Sequence, residues 1–341
     1  MQYDLSILDL VPVGAGRTAS EALRDSLELA HLGDRLGYTR LWYAEHHSMP
    51  SIASSAPEIL IAHAAQATTR IRLGSGGVML PNHAPLRIAE AYHTLAALFP
   101  GRIDLGIGRA PGTDPAASRA LRPFPAEQFS EQLAELLALS RRSFPEGHPF
   151  ASVRVVPTDV ALPPVWLLGS SGASARLAGQ LGLGYSFAHH FSPTPPEPAI
   201  LAYRDAFEPS ADFPQPHVIL AVTAVCAETD EHADFLAGSM DLSWVRLHRG
   251  EFRALPSPEE ARAYPYTERE RAVVESYRSR TLVGSPETVR AQLDALVERT
   301  GADEVMLSSM IYDPAERLRS YELVKGVSSQ EPEDGRTATE N

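Results

Sequence analysis

A chain of 341 residues, 44% hydrophobic and 21% charged, can form one large barrel or two ordinary domains with a full core. Its net charge of −13 argues against nucleic acid or anionic membrane as the main partner, because both require clustered lysine and arginine. With Cys226 as its only cysteine, the sequence has no disulfide framework, and no apolar run reaches membrane-spanning length. The N-terminus lacks the basic region of a signal peptide, so we expect a cytoplasmic protein.

The first half of the chain alternates short apolar runs with amphipathic segments, which predicts strands followed by helices. Thr18 and Glu21 form a capping box for a helix that Gly37 ends. The segment 70–113 reads as a complete strand–helix–strand unit, and such units build parallel sheets. The strands predicted in this half are residues 3–10, 40–44, 71–80 and 103–107.

The second half repeats the pattern after two proline-rich stretches, which we interpret as a loop before residue 126 and irregular structure over 143–164. The charged segment 239–281 breaks the rhythm and is too long for an ordinary loop, so we expect a functional insertion. Ser285 and Pro286 then begin the next helix. The strands predicted in this half are residues 165–168, 185–188, 217–226 and 304–308.

Eight strand–helix units predict an α/β fold, a (β/α)8 TIM barrel with one insertion before the last unit. We expect a single domain over residues 1–326. An open, doubly wound sheet is the alternative that the same alternation allows. Residues 327–341 are polar and acidic, and we expect them to be a disordered tail.

Glycines and one arginine occur at the predicted C-terminal ends of two neighbouring strands. Ser75, Gly76 and Gly77 lie near the end of one strand, and Arg109 follows the next. Ligands bind at this end of parallel α/β folds, so the glycines indicate room for a flat ligand. Arg109 suits either a phosphate or a surface ion pair. The segment is not a dinucleotide fingerprint, because Pro111 stands where the third glycine belongs.

A second pattern suited to phosphate precedes a predicted helix. Gly169, Ser170, Ser171 and Gly172 come directly before it, so helix N–H groups and two hydroxyls can bind a phosphate dianion there. The same residues also suit an ordinary serine cap. Taken with Arg109 on the adjoining strand, they favour the phosphate site.

Three polar residues, Glu45, His46 and His47, follow the second predicted strand. A metal site would need a further ligand such as His189 or His190, and no HxH or HExxH spacing occurs. We therefore predict no metal, and a neutral histidine at a barrel mouth suits general acid–base chemistry. The G-x-S-x-G pattern of acyl-transfer enzymes is absent from the sequence.

Four motifs in this order resemble the bacterial luciferase-like flavin-dependent monooxygenase family, most closely its small single-component members. The motifs are AEHH at 44–47, RLGSGGVMLPNHAPLRIAE at 72–90, FPGRIDLGIGRAPG at 99–112 and VGSPETV at 283–289. The resemblance implies a TIM barrel that binds reduced FMN (FMNH2), usually supplied by a separate NAD(P)H-dependent flavin reductase. It also implies a homodimer, the usual state in the family.

The resemblance assigns roles to individual residues. Ser75 and Gly76, with Gly77 beside them, match a bulge where a non-prolyl cis peptide often lies beneath the isoalloxazine ring. Arg109 matches the phosphate-binding arginine, and His46 matches the histidine that transfers protons.

Further residues are implied at the phosphate and ring sites. Ser170 and Ser171, between Gly169 and Gly172, match the phosphate loop. Aromatic side chains are expected to wall the cofactor or the substrate, with Phe187 at the cofactor. These are Trp42, Tyr185, Phe187 and Phe191.

The reaction implied is oxygenation of a small organic substrate by FMNH2 and O2 through a C4a-hydroperoxyflavin. The insertion 239–281 is expected to act as a lid that excludes water. One alternative is hydride transfer with the deazaflavin F420 on the same barrel, and another is a flavin-binding protein without catalysis. A phosphosugar-binding barrel enzyme would use the same phosphate site but would not explain the paired glycines.

The substrate pocket is expected to form from residues 9–16, 111–125 and 187–196 together with the insertion. These segments show no charge cluster that would indicate an ionic substrate. The sequence therefore does not identify the substrate.

Overall fold

Parallel strands close into a barrel in the computed structural model, which describes residues 3–110, 112–121 and 126–328. Within these residues the strands are β1 (Asp4–Asp9), β2 (Arg40–Tyr43), β3 (Arg72–Ser75), β4 (Val78–Met79), β5 (Ile103–Gly108), β6 (Val165–Gly169), β7 (Gly184–Ala188), β8 (Val218–Cys226), β9 (Thr281–Gly284) and β10 (Glu304–Ser308). The barrel closes because β10 pairs with both β1 and β8. The predicted (β/α)8 TIM barrel is confirmed: eight strands form the wall, β4 continues β3, and β9 pairs with the second half of β8.

Helices surround the barrel. In the described part of the chain they are α1 (Ala19–Leu36), α2 (Pro57–Ala67), α3 (Pro85–Leu98), α4 (Pro115–Leu121), α5 (Phe129–Arg141), α6 (Gly172–Gln180), α7 (Glu197–Asp205), α8 (Asp230–His248), α9 (Pro258–Ala263), α10 (Glu268–Arg278), α11 (Pro286–Thr300) and α12 (Pro314–Ser328). The predicted Thr18–Glu21 capping box begins α1, and Gly37 ends that helix in the left-handed conformation that glycine favours. None of these helices is long and apolar enough to cross a membrane.

Alternate residues along each strand enter two different cores. Leu8 and Trp42 belong to the cluster inside the barrel. Ile7 and Leu41, their neighbours in sequence, belong to the larger cluster between the strands and the helices. This alternation decides which side chains at a strand end can reach the barrel mouth.

A buried ion-pair network closes the N-terminal end of the barrel. Arg40 donates hydrogen bonds of 2.8 Å to Asp104 and to Glu304, and all three side chains are nearly inaccessible to solvent. Burial acts to raise the pKa of Glu304, but the charge of Arg40 and hydrogen bonds from His217, Arg40 and Ser6 outweigh it and lower the pKa to about 2. A ligand therefore has access to the barrel interior from the opposite, C-terminal end.

The insertion predicted over 239–281 is largely helical, since it contains the second half of α8 together with α9 and α10. The rings of Trp244 and Tyr277 stack with their centroids 4.0 Å apart, and Arg278 donates two hydrogen bonds of 2.7 Å to the Asp241 carboxylate. These contacts fix α10 on α8. The segment is therefore a packed part of the protein rather than an extended loop.

Two further contacts tie the insertion and the strand after it to the rest of the fold. Leu255 exchanges backbone hydrogen bonds of 2.9 and 2.8 Å with Val13 and Ala15, in the segment after β1. The side chain of Gln292, on α11, bonds to the backbone of Val283, on β9. It accepts a hydrogen bond of 3.1 Å from the Val283 N–H and donates one of 3.3 Å to the Val283 carbonyl. The amide of Gln292 thus takes the place of a neighbouring strand at that residue.

Three local predictions differ from the structure. The strand predicted over 71–80 divides into β3 and β4, and a 3₁₀ turn follows at Leu80–Asn82, because the two glycines between the strands interrupt the pairing. Helix α4 lies where we expected only a proline-rich loop; residues 111 and 122–125 of that loop are outside the described residues. Helix α12 reaches Ser328, two residues into the predicted tail, and 329–341 are outside the described residues.

Candidate functional site

Most predicted site residues lie at the C-terminal rim of the barrel. His46 follows β2, Gly76 and Gly77 lie between β3 and β4, and Arg109 follows β5. β5 pairs with β6 in register up to Ile107 and Leu167, and Arg109 and Gly169 each lie two residues beyond this last pair. The two halves of the predicted phosphate site thus follow neighbouring strands at the rim.

The segment after β2 is held in place by the buried carboxylate of Glu45. Its Oε1 accepts hydrogen bonds of 2.8 Å from His47 Nε2 and 2.9 Å from His83 Nε2, and its Oε2 accepts one of 2.9 Å from the Met79 N–H. Burial acts to raise the pKa of Glu45, but these hydrogen bonds outweigh it and lower the pKa to about 2. Glu45 is therefore an ionised anchor between the ends of β2 and β4.

His46, beside this anchor, is kept neutral. Burial lowers its pKa to about 4, helped by the charge of His47 and opposed by that of Glu45. Its Nδ1 is buried without a hydrogen-bond partner among the described residues. A neutral imidazole with an unpaired ring nitrogen can accept a proton and then pass it on, and this proton-transfer role stays a prediction for His46.

A second histidine, His190 after β7, has its tautomer fixed. Its Nδ1 lies 3.2 Å from the Ala221 carbonyl oxygen, an acceptor, so Nδ1 carries the proton and Nε2 is left as an acceptor. Burial lowers its pKa to about 4, and the charge of His46 is a further cause, so the two rings are electrostatic neighbours. In the sequence His190 is a candidate only as a metal ligand, and no pattern there indicates that it lies near His46.

The glycines around β3 and β4 pack closely against the protein itself. A Cβ at Gly106 would collide with the Ser75 carbonyl oxygen, and one at Gly77 would lie 2.9 Å from the Gly106 carbonyl oxygen. The Ser75 hydroxyl bridges the same pair of strands, donating to the Gly106 carbonyl at 2.8 Å and accepting from its N–H at 3.1 Å. The cis peptide joins Gly76 to Gly77, one residue beyond the predicted Ser75–Gly76 pair.

The predicted phosphate site has unpaired hydrogen-bond donors. Ser171 is the N-cap of α6, but its side chain makes no capping hydrogen bond, so the first N–H groups of the helix lack a side-chain acceptor. Arg109 is exposed and makes no ion pair with the described residues. These unpaired donors and the adjoining Ser170 fit a phosphate dianion, and the ordinary serine cap that we had weighed against it is not formed.

Two residues beyond the predicted GSSG motif also belong to this region. Ser174 Oγ donates a hydrogen bond of 2.9 Å to the Ser171 carbonyl and lies 3.3 Å from Ser171 Oγ. The Arg176 guanidinium folds back over the first turn of α6, where a Cβ on Gly172 would lie 3.5 Å from it. The helical spacing of Gly172 and Arg176, four residues apart, was the available sequence signal for this arrangement.

The predicted aromatic residues are divided between different parts of the fold. Phe187 is fully buried in the cluster beneath the helices, so the structure does not bring it to the mouth with the other predicted residues. Tyr185 lies in the same cluster, with its hydroxyl 3.5 Å from the Ser171 carbonyl oxygen below the phosphate site. Trp42 belongs to the inner cluster, and Phe191 is half exposed with its ring against His190.

In the described residues no group of three or more histidine, cysteine, aspartate or glutamate side chains is arranged to hold a metal ion. The side chains of Glu45, His47 and His83 lie close together. Their arrangement is that of one carboxylate, Glu45, which accepts a hydrogen bond from each histidine.

Comparison with known proteins identifies the family to which this fold and rim belong. Residues 3–304 match the family model described as luciferase-like monooxygenase. A luciferase-like monooxygenase of Escherichia coli is 43% identical over 95% of this chain and 97% of its own. The N-acetyl-S-alkylcysteine monooxygenase of Bacillus subtilis is 36% identical over 94% of this chain and 96% of its own.

Solved structures share the fold of this chain. The crystal structure of apo-MsnO8 superposes with a TM-score of 0.89 at 41% identity, covering 97% of this chain and 99% of that one. The fold alone is shared with an FMN complex of a Pseudomonas putida Baeyer–Villiger monooxygenase (TM-score 0.72, 21% identity, 96% and 98% coverage). It is also shared with an F420-dependent secondary alcohol dehydrogenase (TM-score 0.67, 14% identity, 97% and 100% coverage).

The chain belongs to the luciferase-like monooxygenase family, as its motifs indicated. Because the chain belongs to this family and its relatives include monooxygenases, the protein is an oxidoreductase.

Proposed function

We propose that this protein is an FMN-dependent monooxygenase that uses FMNH2 and O2 to oxygenate a small organic substrate. The observation that carries the proposal is the open N-terminus of α6, where Ser171 makes no capping hydrogen bond, together with Arg109, which follows the neighbouring strand β5. A helix N-terminus with a nearby unpaired guanidinium favours a phosphate monoester, the polar end of FMN. The monooxygenase relatives with 36–43% identity support the oxygenation chemistry.

The rim residues have separate tasks in this proposal. Arg109, Ser170, Ser171 and the first N–H groups of α6 hold the phosphate. Gly76 and Gly77 border the ring, and Ser75 acts indirectly by fixing β3 to β5. When bound, reduced FMN supplies the electrons that activate O2.

His46 is the proton-transfer residue in this proposal. Because its pKa is about 4, the imidazole is neutral at pH 7, and its buried Nδ1 has no partner among the described residues. It can therefore take a proton from a reacting group and return it without first losing one of its own. His190, with Nε2 left as an acceptor, is a second neutral hydrogen-bonding group in the electrostatic neighbourhood of His46.

The remaining predictions complete the proposal. A separate NAD(P)H-dependent flavin reductase supplies FMNH2, the protein works as a homodimer, and α8 to α10 exclude water from the mouth. For the lid, the supporting contact is the pair of hydrogen bonds that joins Leu255 to Val13 and Ala15 at the rim. Breaking this contact by substituting Leu255 with proline, which cannot donate to the Val13 carbonyl, is expected to increase peroxide release per FMNH2 oxidised.

The test is an anaerobic titration of the purified protein with FMNH2, oxidised FMN and F420, followed by admission of air. Selective binding of FMNH2, with O2 consumption coupled to oxygenation of a thioether or ketone, is the expected result. Tight binding of F420 without O2 consumption would replace the proposal by hydride transfer on the same barrel. Binding of none of the three would indicate a barrel without a working cofactor site.

A further inference from the structure

A cleft beside the C-terminal end of β7, on the outer side of the barrel wall, contains positively charged side chains. It has a volume of about 310 Å³ and lies between the loop that follows β7, the residues before β9 and the C-terminal end of α11. These three segments supply His189, Arg280 and Arg299. Because they are far apart in sequence, no charge cluster is visible there in the amino-acid sequence.

Two of the residues that line this cleft each have a buried nitrogen atom with no hydrogen-bond partner among the described residues. These atoms are Nδ1 of His189, whose side chain is 9% exposed, and Nε of Arg280. The Arg280 guanidinium lies over the Tyr277 ring, 5.0 Å from its centroid, so its position is set by packing rather than by an acid. Buried polar groups without partners are rare in native proteins, and two on residues that line one cleft point to a ligand.

The net charge of the side chains that line the cleft indicates the charge of its ligand. Glu197 accepts a hydrogen bond of 2.7 Å from Arg299 Nε, so the charge of Arg299 is offset. Arg280 has no carboxylate partner in the described part of the chain. Burial and the charges of Arg299 and Arg280 lower the pKa of His189, which disfavours a positive charge on its ring. One uncompensated positive charge remains.

The cleft is separate from the predicted cofactor site, although His189, Ser192 and Arg280 belong to the segments from which the substrate pocket is expected to form. His189 lies two residues after Phe187, with its ring centroid 6.4 Å from that of Phe187, in the layer outside the barrel wall. His190, the next residue, is the electrostatic neighbour of His46 at the mouth. The end of β7 therefore stands between the cleft and the mouth.

We propose that His189, Arg280 and the Ser192 hydroxyl form a second binding site, which takes a small molecule through a carboxylate or phosphate group. Arg280 supplies the charge and a fixed N–H donor, because guanidinium groups suit both oxyanions. Ser192 Oγ already accepts a hydrogen bond of 3.2 Å from the Thr194 N–H, which leaves its proton to donate. His189 donates from the ring nitrogen that now has no partner.

The test uses full-length protein with ¹⁵N-labelled histidine, titrated at constant ionic strength with inorganic phosphate or acetate. The His189 imidazole signal, assigned by comparison with His189→Gln, reports on this cleft and not on the phosphate site at α6. A saturable shift in the millimolar range is expected with at least one probe, and the probe that saturates first identifies phosphate or carboxylate as the preferred group.

Arg280→Gln is expected to weaken this binding by about tenfold or more, because a charge-assisted hydrogen bond is lost. Arg253→Gln is the matched control, since Arg253 is exposed, pairs with Glu251 and does not line the cleft. If Arg280→Gln does not fold, Arg280→Lys, which keeps the charge, is expected to weaken binding without abolishing it. A non-saturable shift with both probes, or equal affinities in the wild type and the Arg280 variants, would overturn the proposal.

Discussion

Glu45 Oε1 and His83 Nε2 are joined by a hydrogen bond of 2.9 Å, although 38 residues separate them in the chain. The same oxygen accepts a hydrogen bond from His47, so one buried carboxylate fixes the residues on both sides of His46 and the turn after β4. The position of the predicted proton-transfer residue therefore depends on a carboxylate that itself takes no proton at neutral pH.

Replacing Glu45 with glutamine tests this dependence. The amide has one acceptor oxygen in place of two and cannot accept charge-assisted hydrogen bonds, so we expect about 2–3 kcal/mol loss in the free energy of unfolding. Urea unfolding measures this change. Glu275→Gln, on the exposed face of α10, is the control and is expected to leave stability unchanged. A Glu45→Gln protein as stable as the control would show that the anchor is dispensable.

The lowered pKa of His46 predicts an acid-sensitive fold. The unfolded state, with a histidine pKa near 6.5, binds this proton more readily than the folded state, with a pKa of about 4. Stability is therefore lost as pH falls from 6.5 towards 4, by at most about 3 kcal/mol from this residue. His46→Gln should reduce the slope of unfolding free energy against pH in that window. His63→Gln, at an exposed position on α2, should not.

Activity should separate His46 from its neighbour His47. General acid–base groups contribute about 10²–10⁴-fold to rate, so His46→Gln is expected to lower kcat within this range with a smaller effect on FMNH2 affinity. His47→Gln loses a hydrogen bond to Glu45 rather than a proton carrier, and a smaller decrease is expected. Steady-state kinetics with excess reduced flavin measures both. A larger loss for His47→Gln would move the proton-transfer role to that residue.

The phosphate site predicts a difference between FMN and riboflavin, which lacks the phosphate. Arg109→Gln and Arg176→Gln should each weaken FMN binding by about tenfold or more, since a charge-assisted contact to phosphate is lost, and leave riboflavin binding unchanged. Fluorescence titration with FMN and with riboflavin gives the two dissociation constants and their ratio. Arg271→Gln, exposed on α10, is the control. Equal losses for both flavins would place these arginines away from the phosphate.

The ion-pair network at the N-terminal end of the barrel predicts an effect on stability without an effect on ligands. Arg40→Met leaves the buried Asp104 and Glu304 carboxylates without their shared partner, so about 3–5 kcal/mol of stability should be lost. Denaturant unfolding measures this loss. FMN affinity of the folded fraction should equal that of the wild type, because the rim is at the other end of the barrel. A change in FMN affinity with unchanged stability would contradict this separation of stability at one end of the barrel from ligand binding at the other.

The barrel and its rim were predictable because both depend on local patterns. Alternating apolar runs gave the strands, and the residues just after a strand, such as His46 and Arg109, must lie at the rim whatever the details of packing. Contacts between distant segments were not predictable. Phe187 follows the strand alternation into the outer cluster, a direction that aromatic character alone does not reveal. The cleft around Arg280 depends on three segments meeting in space.

The amide of Gln292 has a consequence for behaviour at high protein concentration. A closed barrel has no free strand edge, but in the part of the chain that the structure describes β9 pairs along one side only, with β8. Exposed edges invite pairing between molecules, and Gln292 occupies both backbone groups of Val283 at the centre of this short strand. The protein therefore carries its own blocking group against edge-to-edge aggregation, supplied by the helix that directly follows the strand it protects.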